Sequence, residues 1–184
     1  MKPDLNSFVI GDPNKCIGCR SCEVACAAAH RENNTGATIG TIDTPIIPRL
    51  FFIKNKNAAM EVQCRHCEDA PCANSCPSGA ITQVDGAITI DDKVCIGCKT
   101  CSLVCPVGAI DLLPKYVGSV VNGGIDRKLT IMAYKCDMCK EVGGTPNCIK
   151  ACPKDALKVA TPKEDKTDRN VKAVLELLNI NKNL

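Results

Sequence analysis

Apolar positions along this chain fall in short clusters separated by polar breaks, and only one stretch carries a helical period. Phe8-Val9-Ile10, closed by Gly11-Asp12-Pro13-Asn14, predicts a strand. A polar Asn/Thr/Gly stretch from residue 31 predicts a loop. It is followed by Leu50-Phe51-Phe52-Ile53 and Ala59-Met60-Glu61-Val62, a hairpin pattern with Asn55-Lys56-Asn57 between its arms. Ile81-Thr82-Gln83-Val84 and Ala87-Ile88-Thr89-Ile90 flank Asp85-Gly86, the pair that suits a type I′ turn. Residues 111–134 read as a spacer: Gly118, Asn122, Gly123 and Gly124 mark a loop, and Leu129–Tyr134 a strand. Past a charged linker, Lys163–Asp168, the residues Val171, Val174, Leu175 and Leu178 fall at i, i+3, i+4 and i+7. That spacing predicts a helix over 169–180, capped by Thr167 or Asp168, with Leu177 and Ile180 widening its stripe. The stripe packs either on the protein's own body or on a neighbouring subunit.

Between these segments lie four groups of cysteines, each ending C-x3-C. The first is Cys16, Cys19, Cys22 and Cys26; the second is Cys64, Cys67, Cys72 and Cys76; the third is Cys95, Cys98, Cys101 and Cys105; the fourth is Cys136, Cys139, Cys148 and Cys152. The third, Cys95 to Pro106, has the C-x2-C-x2-C-x3-C-P spacing used for cubane iron–sulfur clusters. Three cysteines at that spacing curl round one face of a small cluster and aim backbone N–H groups at its sulfurs. Gly97 permits φ > 0 and close approach. Cys101 and Cys105 stand four residues apart, roughly 6 Å along a helix, so the fourth thiolate reaches elsewhere. Pro106 drives Cys105 out of the α region and ends the helix. The first group keeps the spacing but has Ala27 in place of the proline, which lets its helix run on toward His30. The other three groups continue C-P-x-x-A-[Ile/Leu], so the chain is an internal repeat.

Composition strengthens this reading. The 184 residues contain 16 Cys and no Trp, and aromatics make up 3%. Too little aromatic mass is present to fill an ordinary core, and inorganic clusters would fill it instead. The formal charge is +3, and four oxidised clusters at about −2 each take it to roughly −5. With no basic run interleaved with aromatics, nucleic acid is not an expected partner. No leader, twin-arginine signal or membrane span is legible, so a soluble cytoplasmic setting is the default. In that reducing compartment such a cysteine content means metal rather than disulfides. Zinc is the rival, since the second and fourth groups alone suit paired C-x2-C sites. Repeated C-x2-C-x2-C favours the cubane.

In two-cluster ferredoxins one run supplies three ligands and the other run the fourth. Only 18 residues, containing the predicted Asp85-Gly86 hairpin, separate Cys76 from Cys95. Groups two and three therefore pair, giving Cys64, Cys67, Cys72 with Cys105, and Cys95, Cys98, Cys101 with Cys76. Elimination leaves Cys16, Cys19, Cys22 with Cys152, and Cys136, Cys139, Cys148 with Cys26. His30 and His66 are not needed as ligands, and each is expected at the surface or hydrogen-bonded to a sulfur. The loop cations Arg20, Arg65, Lys99 and Lys140 are expected to be solvated; one that nears a cluster raises its potential.

Cys16–Cys26, Cys64–Pro77 and Cys136–Cys139 with Cys148–Pro153 resemble the four-cluster ferredoxin subunits of formate- and hydrogen-metabolising complexes, the formate hydrogenlyase and hydrogen-dependent carbon dioxide reductase type. The resemblance covers nearly all of residues 6–160 and extends to the iron–sulfur subunits of dimethyl-sulfoxide-reductase-type enzymes. It implies four [4Fe–4S] clusters in the nested pairing above. It also implies an α+β fold of two dicluster ferredoxin-like modules, one inserted in the other, with a C-terminal helix. Residues 1–60 and 120–162 then form the outer module (groups one and four), 61–119 the inner one (groups two and three), and 163–184 a linker and amphipathic helix. The implied role is that of a non-catalytic subunit relaying electrons between an iron-only hydrogenase and a formate dehydrogenase, beside similar polyferredoxin subunits, with filament formation suiting the tail. A subunit of another molybdopterin oxidoreductase or hydrogenase, or a diffusing polyferredoxin carrier, are the alternatives.

Overall fold

A computed structural model describes residues 6–30, 47–55, 59–121, 124–140 and 143–181. In chain order its elements are β1 (Phe8–Gly11), α1 (Ser21–Ala29), β2 (Phe51–Lys54), β3 (Ala59–Val62), α2 (Pro71–Asn74), β4 (Ile81–Val84), β5 (Ala87–Ile90), α3 (Thr100–Val104), β6 (Asp111–Val121), β7 (Gly124–Tyr134), α4 (Asn147–Lys150), β8 (Leu157–Ala160) and α5 (Pro162–Asn181). The strands form four antiparallel two-stranded ribbons. Such ribbons are marginal alone, so their stability comes from what they pack against.

The local signals worked where turn chemistry is explicit. β4 pairs with β5 through Val84↔Ala87. Asp85 at φ 47° and Gly86 at φ 70° supply the two left-handed residues that a type I′ turn needs. β2 pairs with β3, the arms being joined through residues that include 56–58, outside the described ones. β1 forms where Phe8-Val9-Ile10 predicts it, but its partner is β8, with Phe8↔Ala160 and Gly11↔Leu157. β8 is four residues of mixed polarity, too short to carry a period, and only the far end of the chain completes its ladder.

Two expectations are corrected. Gly118 is not in a loop: it lies mid-strand in β6, opposite Arg127 of β7, in an eleven-residue hairpin. The ladder runs unbroken from Asp111↔Tyr134 to Val121↔Gly124, so one glycine does not interrupt it. The turn itself, Asn122-Gly123, is outside the described residues, as are residues 31–46 of the polar loop. The second correction is at the tail. α5 begins at Pro162, so the supposed linker 163–168 is helical. Thr161 precedes it, its Oγ1 accepting from Glu164 N–H (3.3 Å) while its hydroxyl donates to Glu164 Oε2 (2.9 Å). Neither Thr167 nor Asp168 caps: Thr167 donates to Lys163 O within the helix. A Thr cap followed by Pro at N1 is the better start signal. Val171, Val174, Leu175, Leu177 and Leu178 are each more than half exposed, so the stripe is not packed on the protein's own body.

Each apolar cluster of the interior contains cysteine. One joins Ala70, Cys72, Ile81, Ile88, Cys101, Ile110 and Ala133. Another joins Val9, Cys26, Leu50, Cys148 and Leu157. A third joins Cys64, Ala109 and Cys136, with Cys105 packed against it. The largest fully buried apolar side chains are only Leu50 and Val9, worth about 2 kcal/mol each by burial. No helix among the described residues is long and apolar enough to cross a membrane.

Candidate functional site

The cysteine loops are shaped by a few left-handed residues. Gly18 (φ 71°) and Arg20 (φ 60°) curl the first loop into α1; Gly97 (φ 67°) and Lys99 (φ 72°) do the same for the third loop into α3. Gly97 is required twice over, because a Cβ there would sit 2.3 Å from Ile131 O. Cys105 follows α3 in the extended region (φ −70°, ψ 115°), as Pro106 demands. α1 runs past Cys26 to Ala29, as the alanine in place of proline allows.

The repeated C-P-x-x-A has a physical purpose. Gly79, Gly108 and Asp155, the residues before each alanine, are all left-handed. That turn aims the next N–H back at the cysteine: Ala109 N donates to Cys105 Sγ (3.3 Å) and Ala156 N to Cys152 Sγ (3.3 Å). Ala80 does the same for Cys76, helping to lower its thiol pKa against burial. Each of these alanines is buried, so a larger side chain would not fit. Further N–H donors are Arg49 to Cys26 (3.2 Å), His66 to Cys64 (3.4 Å) and Met138 to Cys136 (3.5 Å). Donors so placed suit thiolate sulfur.

The sixteen cysteines gather in space. Cys16, Cys19, Cys22 and Cys152 line one cavity with Phe52 and Glu61. Cys76, Cys95, Cys98 and Cys101 line another with Leu112 and Ala133. Burial first, then Cys64 and Cys105, raise the thiols of Cys67 and Cys72, the latter to about 11. Burial likewise raises Cys148 to about 12, with Cys26, Cys139 and Cys22 adding to it, and Cys136 is pushed up by burial and by Cys26 and Cys148. Thiols that burial and one another hold protonated become thiolates together only around a cationic core, which is the donor set an iron–sulfur cube needs.

The gatherings touch. Cys22 and Cys148 pack round the same apolar cluster, Cys136 meets Cys64 and Cys105, and Cys72 shares a cluster with Cys101. Cys19 and Cys98, at the two ends, are exposed. Cys98 Sγ lies 3.5 Å from Thr100 Oγ1, and Ser21 stands likewise to Cys19; these hydroxyls lower both thiols.

Neither histidine is at the surface: His30 takes the expected contact with a sulfur, while the His66 ring corrects the expectation. His66 is 1% exposed, and its Nδ1 accepts from Ile88 N–H (2.9 Å) rather than facing a sulfur. Burial, with Lys135 nearby, lowers it to about 3, so the ring is neutral. His30 Nδ1 faces Cys26 O (2.8 Å), with Cys26 Sγ at 3.7 Å, and Nε2 faces Asp137 Oδ1 (2.9 Å). Its ring partners at Cys26 O and Asp137 accept and do not donate, so both nitrogens donate and the ring is an imidazolium. Burial opposes that charge, but bonds to Asp137, Cys139 and Cys26 raise the pKa to about 12. Asp137 also takes Arg49 Nη1 (2.5 Å) and Cys139 N–H (2.9 Å), and it stays at about 2 despite burial. This hub ties α1, the approach to β2 and the fourth loop together.

Sequence reasoning missed Asp137, Arg49, Lys135 and Glu61. Each lies on an ordinary polar position; tertiary closure buries Asp137, Lys135 and Glu61 and partly covers Arg49. Glu61 is buried beside the first cavity, where burial raises its carboxyl and it in turn raises Cys22. Of the loop cations, Arg20 is exposed and lies over Phe52 (5.2 Å); Arg65 lies over Phe8 (5.3 Å). Lys140 donates to Asp85 O.

Known proteins share these features. A family model described as a 4Fe-4S dicluster domain matches residues 56–115, and a second of the same description matches 94–156. Two such domains mean four [4Fe–4S] clusters for sixteen cysteines. Electron transport protein HydN of Escherichia coli (strain K12) is 44% identical over 154 residues, spanning 83% of this chain and 87% of that protein. An iron-sulfur protein of Rhodospirillum rubrum is 38% identical, spanning 84% and 82%. Formate hydrogenlyase subunit 2 of Escherichia coli (strain K12) is 35% identical, spanning 83% and 81%.

Proposed function

Since the chain belongs to the family of 4Fe-4S electron transport proteins that includes HydN and formate hydrogenlyase subunit 2, we propose that it is a non-catalytic subunit relaying single electrons between a hydrogenase and a formate dehydrogenase. The observation that carries this reading is the continuity of the four cysteine gatherings, from the exposed Cys19 to the exposed Cys98. When bound, each [4Fe–4S] group takes up and gives back one electron.

The ligand sets of this reading are Cys16, Cys19, Cys22, Cys152; Cys26, Cys136, Cys139, Cys148; Cys64, Cys67, Cys72, Cys105; and Cys76, Cys95, Cys98, Cys101. The two shared cavities and the mutual thiol electrostatics support them. The pairing of β1 with β8 supports an outer module of 1–60 and 120–162 closing round an inner module of 61–119. The chain's own residues hold and insulate the sets: backbone N–H groups neutralise sulfur charge, and the burial of Cys26, Cys64, Cys72, Cys136, Cys139 and Cys148 excludes water from the middle of the path. The exposed apolar stripe of α5 serves as a contact for a neighbouring subunit, a like chain included. The setting is the cytoplasm.

Anaerobically purified full-length protein tests this. It should hold about sixteen iron and sixteen sulfide per chain and reduce near −400 mV. It should also co-purify with hydrogenase and formate dehydrogenase subunits. A colourless protein without sulfide sinks the relay, and a brown protein that retains no partner identifies a diffusing carrier instead.

A further inference from the structure

Lys135 is a lysine only 3% exposed. It stands between the end of β7 and Cys136. Its Nζ donates to Ile88 O and to Cys136 O (3.0 Å). Among the described residues no carboxylate forms an ion pair with it, and the nearby Asp137 is engaged by His30 and Arg49. Carbonyl oxygens satisfy donors but do not neutralise charge. A buried ammonium is costly unless an anion lies close, and a thiolate-bound cluster supplies one. Lys135 acts electrostatically on Cys72 and on His66, the residue between Cys64 and Cys67. Both carbonyls that hold Nζ belong to the surroundings of this set: Ile88 bonds through its N–H to His66 in the Cys64–Cys67 loop, and Cys136 packs with Cys64 and Cys105.

We infer that the Lys135 ammonium is the counter-charge of the cluster bound by Cys64, Cys67, Cys72 and Cys105, and that it holds this cluster at a higher potential than the one bound by Cys76, Cys95, Cys98 and Cys101. Reduction adds a negative charge, which a fixed cation beside it favours. The cation lining the latter site is Lys99, which is exposed and screened by water and salt. Electrons entering at Cys98 therefore fall inward to a more favourable station.

This inference rests on the four-cluster reading, and the two fail differently. Full-length Lys135→Met, Lys135→Gln and Lys135→Arg are prepared anaerobically, assayed for iron and sulfide, and titrated potentiometrically by EPR. Lys135→Met and Lys135→Gln are expected to move one midpoint to lower potential and leave the rest in place. Lys135→Arg should restore it, and Lys99→Met should move none. Cys105→Ser identifies the midpoint concerned. Unchanged midpoints in fully loaded Lys135→Met and Lys135→Gln overturn the inference. Should those variants fail to load, the wild-type titration decides: the midpoint identified by Cys105→Ser must lie above that of the Cys98 site, and coincidence of the two overturns it. Wild-type protein without sulfide refutes the four-cluster reading itself.

Discussion

The end gatherings of cysteine differ from the two in the middle. Cys19 and Cys98 are exposed, with the Ser21 and Thr100 hydroxyls and neighbouring backbone N–H groups to favour the thiolate. In the middle, Cys64, Cys72, Cys136, Cys139 and Cys148 are buried, and largely enclosed basic groups accompany them: Lys135 beside one set, the His30–Asp137–Arg49 hub beside the other. The ends belong to the C-x2-C-x2-C runs, whose glycine-bearing loops lie at the surface. The middle uses the interrupted runs, whose short helices α2 and α4 carry Cys72 and Cys148 inward. Exposure suits exchange with a partner. Burial suits control of potential, because a charge there is unscreened.

The comparison is broken most severely by removing a ligand from the middle. Cys26→Ala should lose about four irons, or convert a cluster, and disturb the EPR signal of the set with Cys136, Cys139 and Cys148. An effect confined to the set of Cys16, Cys19 and Cys22 would refute the crossed pairing. Next is Asp137→Ala, which strands the enclosed His30 ring and the partly buried Arg49. Chemical denaturation should show a loss of about 3 kcal/mol or more, whereas Asp168→Ala, which breaks an exposed pair with Lys158, costs less than about 1 kcal/mol. Equal losses would remove the distinction between hub and surface. Smaller again are the glycines. Gly108→Ala meets nothing within 4 Å and costs roughly 1–2 kcal/mol for its φ of 63°. Gly97→Ala adds a collision with Ile131 O and should cost clearly more, read as a lower melting temperature. The least effect is expected at Leu178→Glu, within about 0.5 kcal/mol of wild type. A large loss there would mean that α5 packs on the body after all.

Much was legible from local chemistry alone. The cysteine spacing, the Asp85-Gly86 turn and the extended Cys105 before Pro106 each depend on a few neighbouring residues, and such rules are written in the sequence. The C-P-x-x-A repeat was visible too, though its purpose, an alanine N–H aimed at the sulfur, needed coordinates. The tail start was misplaced because charged residues suggested a linker, while Thr161-Pro162 carried the actual start signal.

What tertiary structure alone decided is where charge ended up. Arg20 and Lys99 sit inside the cysteine loops, yet they are exposed. Lys135, Asp137 and Glu61 look ordinary in sequence and are buried against distant segments: Lys135 at Ile88, Asp137 at His30 and Arg49, Glu61 beside Gly11. Ligand type and spacing are short-range properties and survive in one dimension. Burial of a charge is set by segments far apart in the chain, and it is burial that gives a charge its hold on a cluster's potential.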